Sequence, residues 1–256
     1  MKKAVPGSLL FFFAFVGIVL STQSYLPPGD VQQPEKKITI IIDPGHGGGD
    51  WGINYRGTYE KNVTLDVAKK INEKLIKDNS RLTVYLTRTD DQFLSANDRA
   101  NYANSQNGDI FLSIHCDFVP SENVSGCKIF YQQPGSVINK EKKEFINWDM
   151  VQLPYVAESK KLANFIDQYM RSALIGENSN VTGNDEDDVL PVGARGVIGI
   201  KSCILKSINM PAVVIELGNL YNRYDFSFLN SKNVTDQIAY HIKEGIINYL
   251  TKVNYQ

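Results

Sequence analysis

The sequence predicts an α/β protein: a single domain with a mostly parallel, twisted β-sheet and helices on both faces. Three observations predict it. Apolar, β-branched runs stand at Ile38–Ile42, Ile110–Ile114 and Ala212–Ile215, the pattern of strands buried on both faces. Amphipathic helical patterns separate such runs, and a strand–helix–strand unit implies parallel pairing with a right-handed crossover. The runs lead into polar residues or polar loops at their carboxyl ends, where open α/β sheets place their sites.

The first strand, Ile38–Ile42, stops at Asp43-Pro44-Gly45-His46-Gly47-Gly48-Gly49. Proline fixes φ there and the glycines permit close or left-handed backbone. Glu60 follows at the end of this loop, and a histidine and a glutamate so placed make a metal site the leading idea. Val63–Ile76 has apolar residues largely at helical spacing, with Asn62 as an N-cap candidate. Leu82–Leu86 reads as the second strand, with the polar loop Thr87–Asp91 after it. Ser95–Gln106 reads as a second helix whose Ala96, Ala100 and Ala103 allow close packing. Ile110–His115 is the third strand. A terminal histidine stands out in a strand whose buried course demands apolar residues.

Cys127–Tyr131 reads as a fourth strand, followed by a polar stretch, Ser136–Leu153, expected as a surface loop or short helix. Val156–Leu174 reads as a long helix. Gly176–Val189 is polar and carries Asp185-Glu186-Asp187-Asp188, which lacks the spacing and glycine of a calcium-binding loop and reads as a solvated turn. Arg195-Gly196 opens the next element. Pro211–Glu216 is the last strand, with Glu216 at its carboxyl end, and Val234–Leu250 closes the chain as a helix. His241 in that helix reads as an ordinary surface or core histidine.

The 256 residues suit one domain with a full core. A formal net charge of −1 gives no electrostatic ground for binding nucleic acid. Residues 1–24 hold Lys2 and Lys3 before an apolar run, Ser8–Leu20, of signal-peptide length. Export to the periplasm or cell envelope is therefore expected, with this segment either cleaved or retained as an anchor touching the membrane. Residues 25–36, with Pro27-Pro28-Gly29 and Pro34, read as a linker, and 37–256 as the folded domain. Three cysteines leave at least one thiol unbridged. Cys116 and Cys127 flank a loop, compatible with a bridge in an oxidising compartment or with buried thiols. Cys116 beside His115 is a poor nucleophile–base pair, since neighbours on a strand point to opposite sides.

Four motifs occur in order: Asp43-Pro44-Gly45-His46-Gly47-Gly48, Glu60-Lys61-Asn62, Ser113-Ile114-His115 and Glu216-Leu217-Gly218. Together they resemble the zinc-dependent N-acetylmuramoyl-L-alanine amidases of the type-3 family, over roughly Lys37 to Leu250. The resemblance implies one zinc ion held by His46, Glu60 and His115, the two-histidine, one-glutamate set known from catalytic zinc sites. It implies Glu216 as the catalytic carboxylate that moves protons between water and leaving amine. It implies 37–256 as a catalytic domain that hydrolyses the amide between N-acetylmuramic acid and L-alanine of peptidoglycan. Asp43, Arg88, Arg99 and Arg195 are candidates for orienting ligands or contacting substrate; a structural ion pair is the competing reading for Arg88 and Arg99, and an interaction with local backbone is the equal alternative for Asp43. A protein activator is a conceivable further partner. Two other functions fit the same residues: a zinc peptidase or carboxypeptidase acting on wall peptides, and an inactive wall-binding module. The sequence departs from the family at Cys116-Asp117 and at Asn219, where phenylalanine is common. The second change is expected to alter the substrate-facing wall.

Overall fold

The structure is a computed structural model that describes residues 37–133, 151–175 and 196–253. The expected signal segment 1–24, the linker 25–36, most of the polar stretch Ser136–Leu153, the acidic loop and Arg195 lie outside the described residues. The elements run β1 (Ile38–Pro44), β2 (Asn54–Tyr55), β3 (Thr58–Tyr59), α1 (Glu60–Asp78), β4 (Leu82–Leu86), α2 (Ala96–Ser105), β5 (Ile110–His115), β6 (Lys128–Gln132), α3 (Val156–Ile175), β7 (Gly196–Ile200), β8 (Ala212–Glu216), α4 (Arg223–Leu229) and α5 (Lys232–Lys252).

Six strands form one sheet in the order β4-β1-β5-β8-β6-β7. The β4-β1-β5-β8 half is wholly parallel. β6 runs antiparallel to β8, and β7 is parallel to β6. The sheet is thus mostly parallel, as expected, with its direction reversed in the last two strands.

Side-chain alternation along the strands divides the core into two layers. Ile40, Ile42, Ile110, Leu112, Ile114, Val213 and Ile215 join residues of α1, α3 and α5 in the larger cluster. Ile41, Phe111, Ala212 and Val214 face the other way, against Ala100 and Ala103 of α2 and the turn holding Leu205 and Ile208. The central strands are therefore apolar at nearly every position because both faces are covered. α2 begins in a capping box: the Asp98 N–H donates to Ser95 Oγ at 3.2 Å, and the Ser95 N–H donates back to Asp98 Oδ2 at 3.1 Å.

Three local expectations need correction. α1 starts at Glu60, not near Val63, so Asn62 lies inside its first turn and Tyr59 occupies the cap position. The stretch before it, expected as loop, forms the β2–β3 hairpin. Backbone bonds from the Glu60 N–H to Ile53 O at 2.8 Å and from the Lys61 N–H to Trp51 O at 3.3 Å join the first residues of α1 to this stretch. α4 is an additional short helix, capped by Asn222, whose side chain accepts from the Tyr224 and Asp225 N–H groups.

Candidate metal centre

Four elements bring their ends to one edge of the sheet. His46 lies on the loop after β1, Glu60 is the first residue of α1, His115 the last of β5 and Glu216 the last of β8. His115 and Glu216 are direct neighbours in the parallel β5–β8 register. Parallel strands point their carboxyl ends the same way, which is why residues as far apart in the chain as His46, His115 and Glu216 meet here.

The loop backbone is held from beneath by two buried arginines. Arg99 Nη1 donates to Asp43 Oδ1 and to Pro44 O, and its Nη2 donates to His46 O, each at 2.7 Å. Arg88 Nε donates to Pro44 O at 2.9 Å, and its Nη2 to Gly45 O at 2.8 Å. Thr64 Oγ1 donates to the same Gly45 carbonyl at 2.9 Å. Five charge-assisted bonds and one neutral one thus immobilise three consecutive carbonyls and the Asp43 carboxylate, in a place water hardly reaches. This holds His46 in the left-handed region, at φ 59°, a conformation non-glycine residues seldom take.

Glycine is required at two points for steric reasons. A Cβ on Gly45 would fall into the His115 ring. A Cβ on Gly52, whose φ is 61°, would lie 2.5 Å from Glu60 Oε2 and 2.7 Å from His46 Cδ2.

With the backbone so fixed, His46 Nε2 stands 3.1 Å and His115 Nδ1 3.2 Å from the same atom, Glu60 Oε1. The rings meet edge to face, with centroids 4.9 Å apart. Glu60 is buried and its other oxygen, Oε2, accepts the Ile53 N–H at 2.9 Å; Oε1 also accepts the Cys116 N–H at 2.8 Å. Burial disfavours the Glu60 carboxylate, but hydrogen bonds from His115 and His46 outweigh it and hold the group well below the usual carboxylate range. His46 is opposed by burial too, and is nevertheless raised by Glu60 and Asp50. Each group favours positive charge at the point between them.

That arrangement fits a metal ion. His46, Glu60 and His115 offer ligand atoms all within 4.8 Å of one another. Tetrahedral zinc with bonds of about 2.0–2.2 Å would separate its ligand atoms by about 3.3 Å, close to the two distances found.

Glu216 sits beside this cluster with Oε2 buried and, among the described residues, without a hydrogen-bond partner. Burial pushes its carboxyl up to about 7, helped by the Glu60 and Asp117 charges and opposed by His115 and Lys128. Lys128 lies opposite Glu216 across the β6–β8 pair and forms an ion pair with Asp117 at 2.8 Å.

The remaining sequence candidates fall as follows. Asp43, expected to orient His46, does not touch its ring. It accepts from Thr87 Oγ1 at 2.5 Å, Ser113 Oγ at 2.7 Å and Arg99, and reaches His46 only through Arg99. Arg88 and Arg99, 2% and 5% exposed, direct their guanidinium groups at the loop rather than at solvent. Cys116 and Cys127 are both buried thiols, and burial raises the Cys116 thiol well above its ordinary value, away from a nucleophile's range. Asn219 is 0% exposed and turned away from any substrate wall: its Nδ2 donates to Ser121 O and Val124 O, fixing the loop after β5. Sequence reasoning missed Asp50, which lies 2.9 Å from His46 Nδ1. The only prior signal was its position four residues after the histidine on a glycine-rich loop.

Comparison with known proteins agrees with this architecture. The family model described as Amidase_3, N-acetylmuramoyl-L-alanine amidase, matches residues 40–248. A putative N-acetylmuramoyl-L-alanine amidase of Buchnera aphidicola is 31% identical over 86% of this chain and 98% of its own length. The amidase LytC of Bacillus subtilis is 31% identical over 97% of this chain, which spans only 42% of that protein. The crystal structure of an N-acetylmuramoyl-L-alanine amidase from Clostridium difficile 630 superposes with a TM-score of 0.66, at 28% identity, covering 84% of this chain and 98% of the other. The CwlD amidase from Clostridioides difficile, solved in complex with the GerS lipoprotein, gives a TM-score of 0.64 at 26% identity, covering 84% of this chain and 100% of the other. A match spanning nearly the whole described domain, on the same fold, means that this chain belongs to the N-acetylmuramoyl-L-alanine amidase family.

Proposed function

We propose that this chain is a zinc-dependent peptidoglycan hydrolase that cleaves the amide between the lactyl group of N-acetylmuramic acid and L-alanine. The observation that carries the reading is the convergence of His46 Nε2 and His115 Nδ1 on one Glu60 oxygen, at 3.1 and 3.2 Å, beside the buried Glu216. His46, Glu60 and His115 would hold the ion, which when bound supplies Lewis-acid polarisation of the scissile carbonyl and acidification of water.

The chain's own part is proton transfer and orientation. Glu216, as carboxylate, takes a proton from the attacking water as its oxygen bonds to the carbonyl carbon. It then delivers that proton to the alanine nitrogen as the carbon–nitrogen bond breaks. A carboxyl whose proton affinity lies near neutrality suits both halves of this exchange. Burial around Glu216 keeps bulk water from competing for the proton. Arg88, Arg99 and Asp43 act at a distance, by holding the His46 loop in its strained conformation.

The substrate lies outside the cytoplasmic membrane, so the activity requires export, and the basic and apolar segment before residue 24 supports that. Among the described residues no helix is long and apolar enough to cross a membrane. The CwlD structure solved in complex with the GerS lipoprotein supports a protein partner for this chain as well. The test is digestion of purified peptidoglycan by residues 25–256, with and without a chelator, read by mass spectrometry. Intact stem peptides with free L-alanine amino termini, lost on chelation and restored by zinc, are the expected products. Cleavage within the stem would establish a peptidase instead.

A further inference from the structure

Asp50 is outside the set of residues that the proposed reaction uses, yet it is tied to that site more tightly than a surface aspartate needs to be. Gly47 and Asp50 form a backbone bridge, with the Gly47 N–H donating to Asp50 O at 2.8 Å and the Asp50 N–H to Gly47 O at 3.1 Å. That four-residue loop folds the chain back on itself directly after His46. The Asp50 carboxylate is then fixed at both oxygens: Oδ1 accepts the Gly52 N–H at 3.1 Å, and Oδ2 lies 2.9 Å from His46 Nδ1.

A carboxylate can only accept hydrogen bonds, so its partner at Nδ1 must be N–H. The other ring nitrogen, Nε2, is the one that faces Glu60 Oε1, at 3.1 Å, so a metal ion bound between the two would meet Nε2 while Asp50 keeps the ring proton on Nδ1. The other histidine differs. His115 turns Nδ1 toward Glu60, and among the described residues no hydrogen bond reaches its Nε2. We infer that Asp50 is a positioning residue that holds the proton of His46 on Nδ1 and fixes its ring orientation, so that Nε2 is the nitrogen presented to a metal ion. The inference rests on the reading of His46, Glu60 and His115 as the metal centre.

The physical need is specific to His46. It sits on a loop in a strained backbone conformation, not on a strand, and part of its ring is exposed. A free neutral histidine side chain favours the Nε2–H form, which would put a proton where the ligand lone pair must be. The hydrogen bond at the other nitrogen reverses that preference. An asparagine at position 50 has one accepting oxygen for two donors, Gly52 N–H and His46 Nδ1–H, so it must face one of them with its amide hydrogens.

The test has two readouts, neither of which is turnover. The chain has three histidines, so 15N-histidine spectra of the zinc-loaded protein can be assigned with single substitutions. With zinc bound, wild-type His46 should show Nδ1–H and no proton on Nε2. Asp50→Asn and Asp50→Ala should lose the signature of an Nδ1–H held by a carboxylate while leaving His115 unchanged. Zinc affinity by chelator competition should fall ten- to a hundredfold in both variants, the range for loss of a ligand-orienting partner, with unchanged melting curves in chelator showing that the fold is intact. An Nε2–H wild-type His46, or Asp50 variants that bind zinc as tightly as wild type, would overturn the inference. The wild-type spectrum decides even if a variant fails to fold. His46→Ala and His115→Ala separate the two levels. If both retain zinc, the metal centre itself is misassigned; if both lose it while the Asp50 variants do not, only the role of Asp50 falls.

Discussion

Replacing Glu216 by glutamine should stabilise the metal-free protein at alkaline pH while abolishing turnover. The carboxyl is buried, with one oxygen lacking a hydrogen-bond partner among the described residues, and burial moves it from an ordinary 4.5 to about 7. At about 1.4 kcal/mol for each tenfold change in proton affinity, that corresponds to roughly 3 kcal/mol. The sign follows from which state holds the proton. Below about pH 4.5 folded and unfolded chains are both protonated, and the group contributes no difference. Between about 4.5 and 7 the folded chain keeps a proton that the unfolded chain has lost, so stability falls as pH rises. Above about 7 the penalty is complete. Glutamine is neutral throughout and avoids it. Urea unfolding in chelator at about pH 4.5 and pH 8 should therefore show little difference between the proteins at the lower pH. At the higher pH Glu216→Gln should be more stable by about 2–3 kcal/mol. Zinc content should be unchanged and peptidoglycan cleavage lost. A pH-independent difference, or a variant less stable at pH 8, would refute the claim that a buried, uncompensated charge sits at this strand end. Full activity would remove Glu216 from the reaction.

Three further outcomes follow from the same geometry. His46→Ala and His115→Ala should each lose stoichiometric zinc, measured by atomic absorption after dialysis, whereas His241→Ala should retain it. Arg99→Ala leaves Asp43 buried without its cation and frees three backbone or carboxylate acceptors, so it should cost about 3 kcal/mol. Calorimetry should then show a melting temperature lower by roughly 10 °C, and a change below about 2 °C would refute the bracing role. Gly45→Ala places a methyl group inside the His115 ring position. It should weaken zinc binding more than it lowers the melting temperature, because the ring can turn aside where the backbone cannot.

Much of this protein is determined by the sequence alone, wherever the signal is local. The three largely apolar runs are apolar because each is buried on both faces, and that demand is visible in four or five consecutive residues. The same demand makes a polar residue at the end of such a run conspicuous, which is how His46, His115 and Glu216 could be read as site residues. The helices were legible from their periodicity for the same reason.

Tertiary structure alone decided what depends on residues far apart in the chain. Whether β6 would run parallel or antiparallel to β8 is set by where the chain re-enters the sheet, and Lys128 comes to face Glu216 only because it enters reversed. Asp43 was read as a partner for the histidine next to it. It is instead claimed by Thr87, Arg99 and Ser113, 44 to 70 residues away. Asn219 looked like a change in the substrate wall, but it is an internal brace for a loop nearly a hundred residues earlier. Asp50 lies close in sequence, yet its value depends on the strained turn that brings it to Nδ1 of His46, the nitrogen turned away from Glu60. Strand and helix patterns record what each residue needs from its own immediate surroundings. Hydrogen-bond partners are chosen by which donors the packed layers bring within 3 Å, and no short stretch of sequence carries that information.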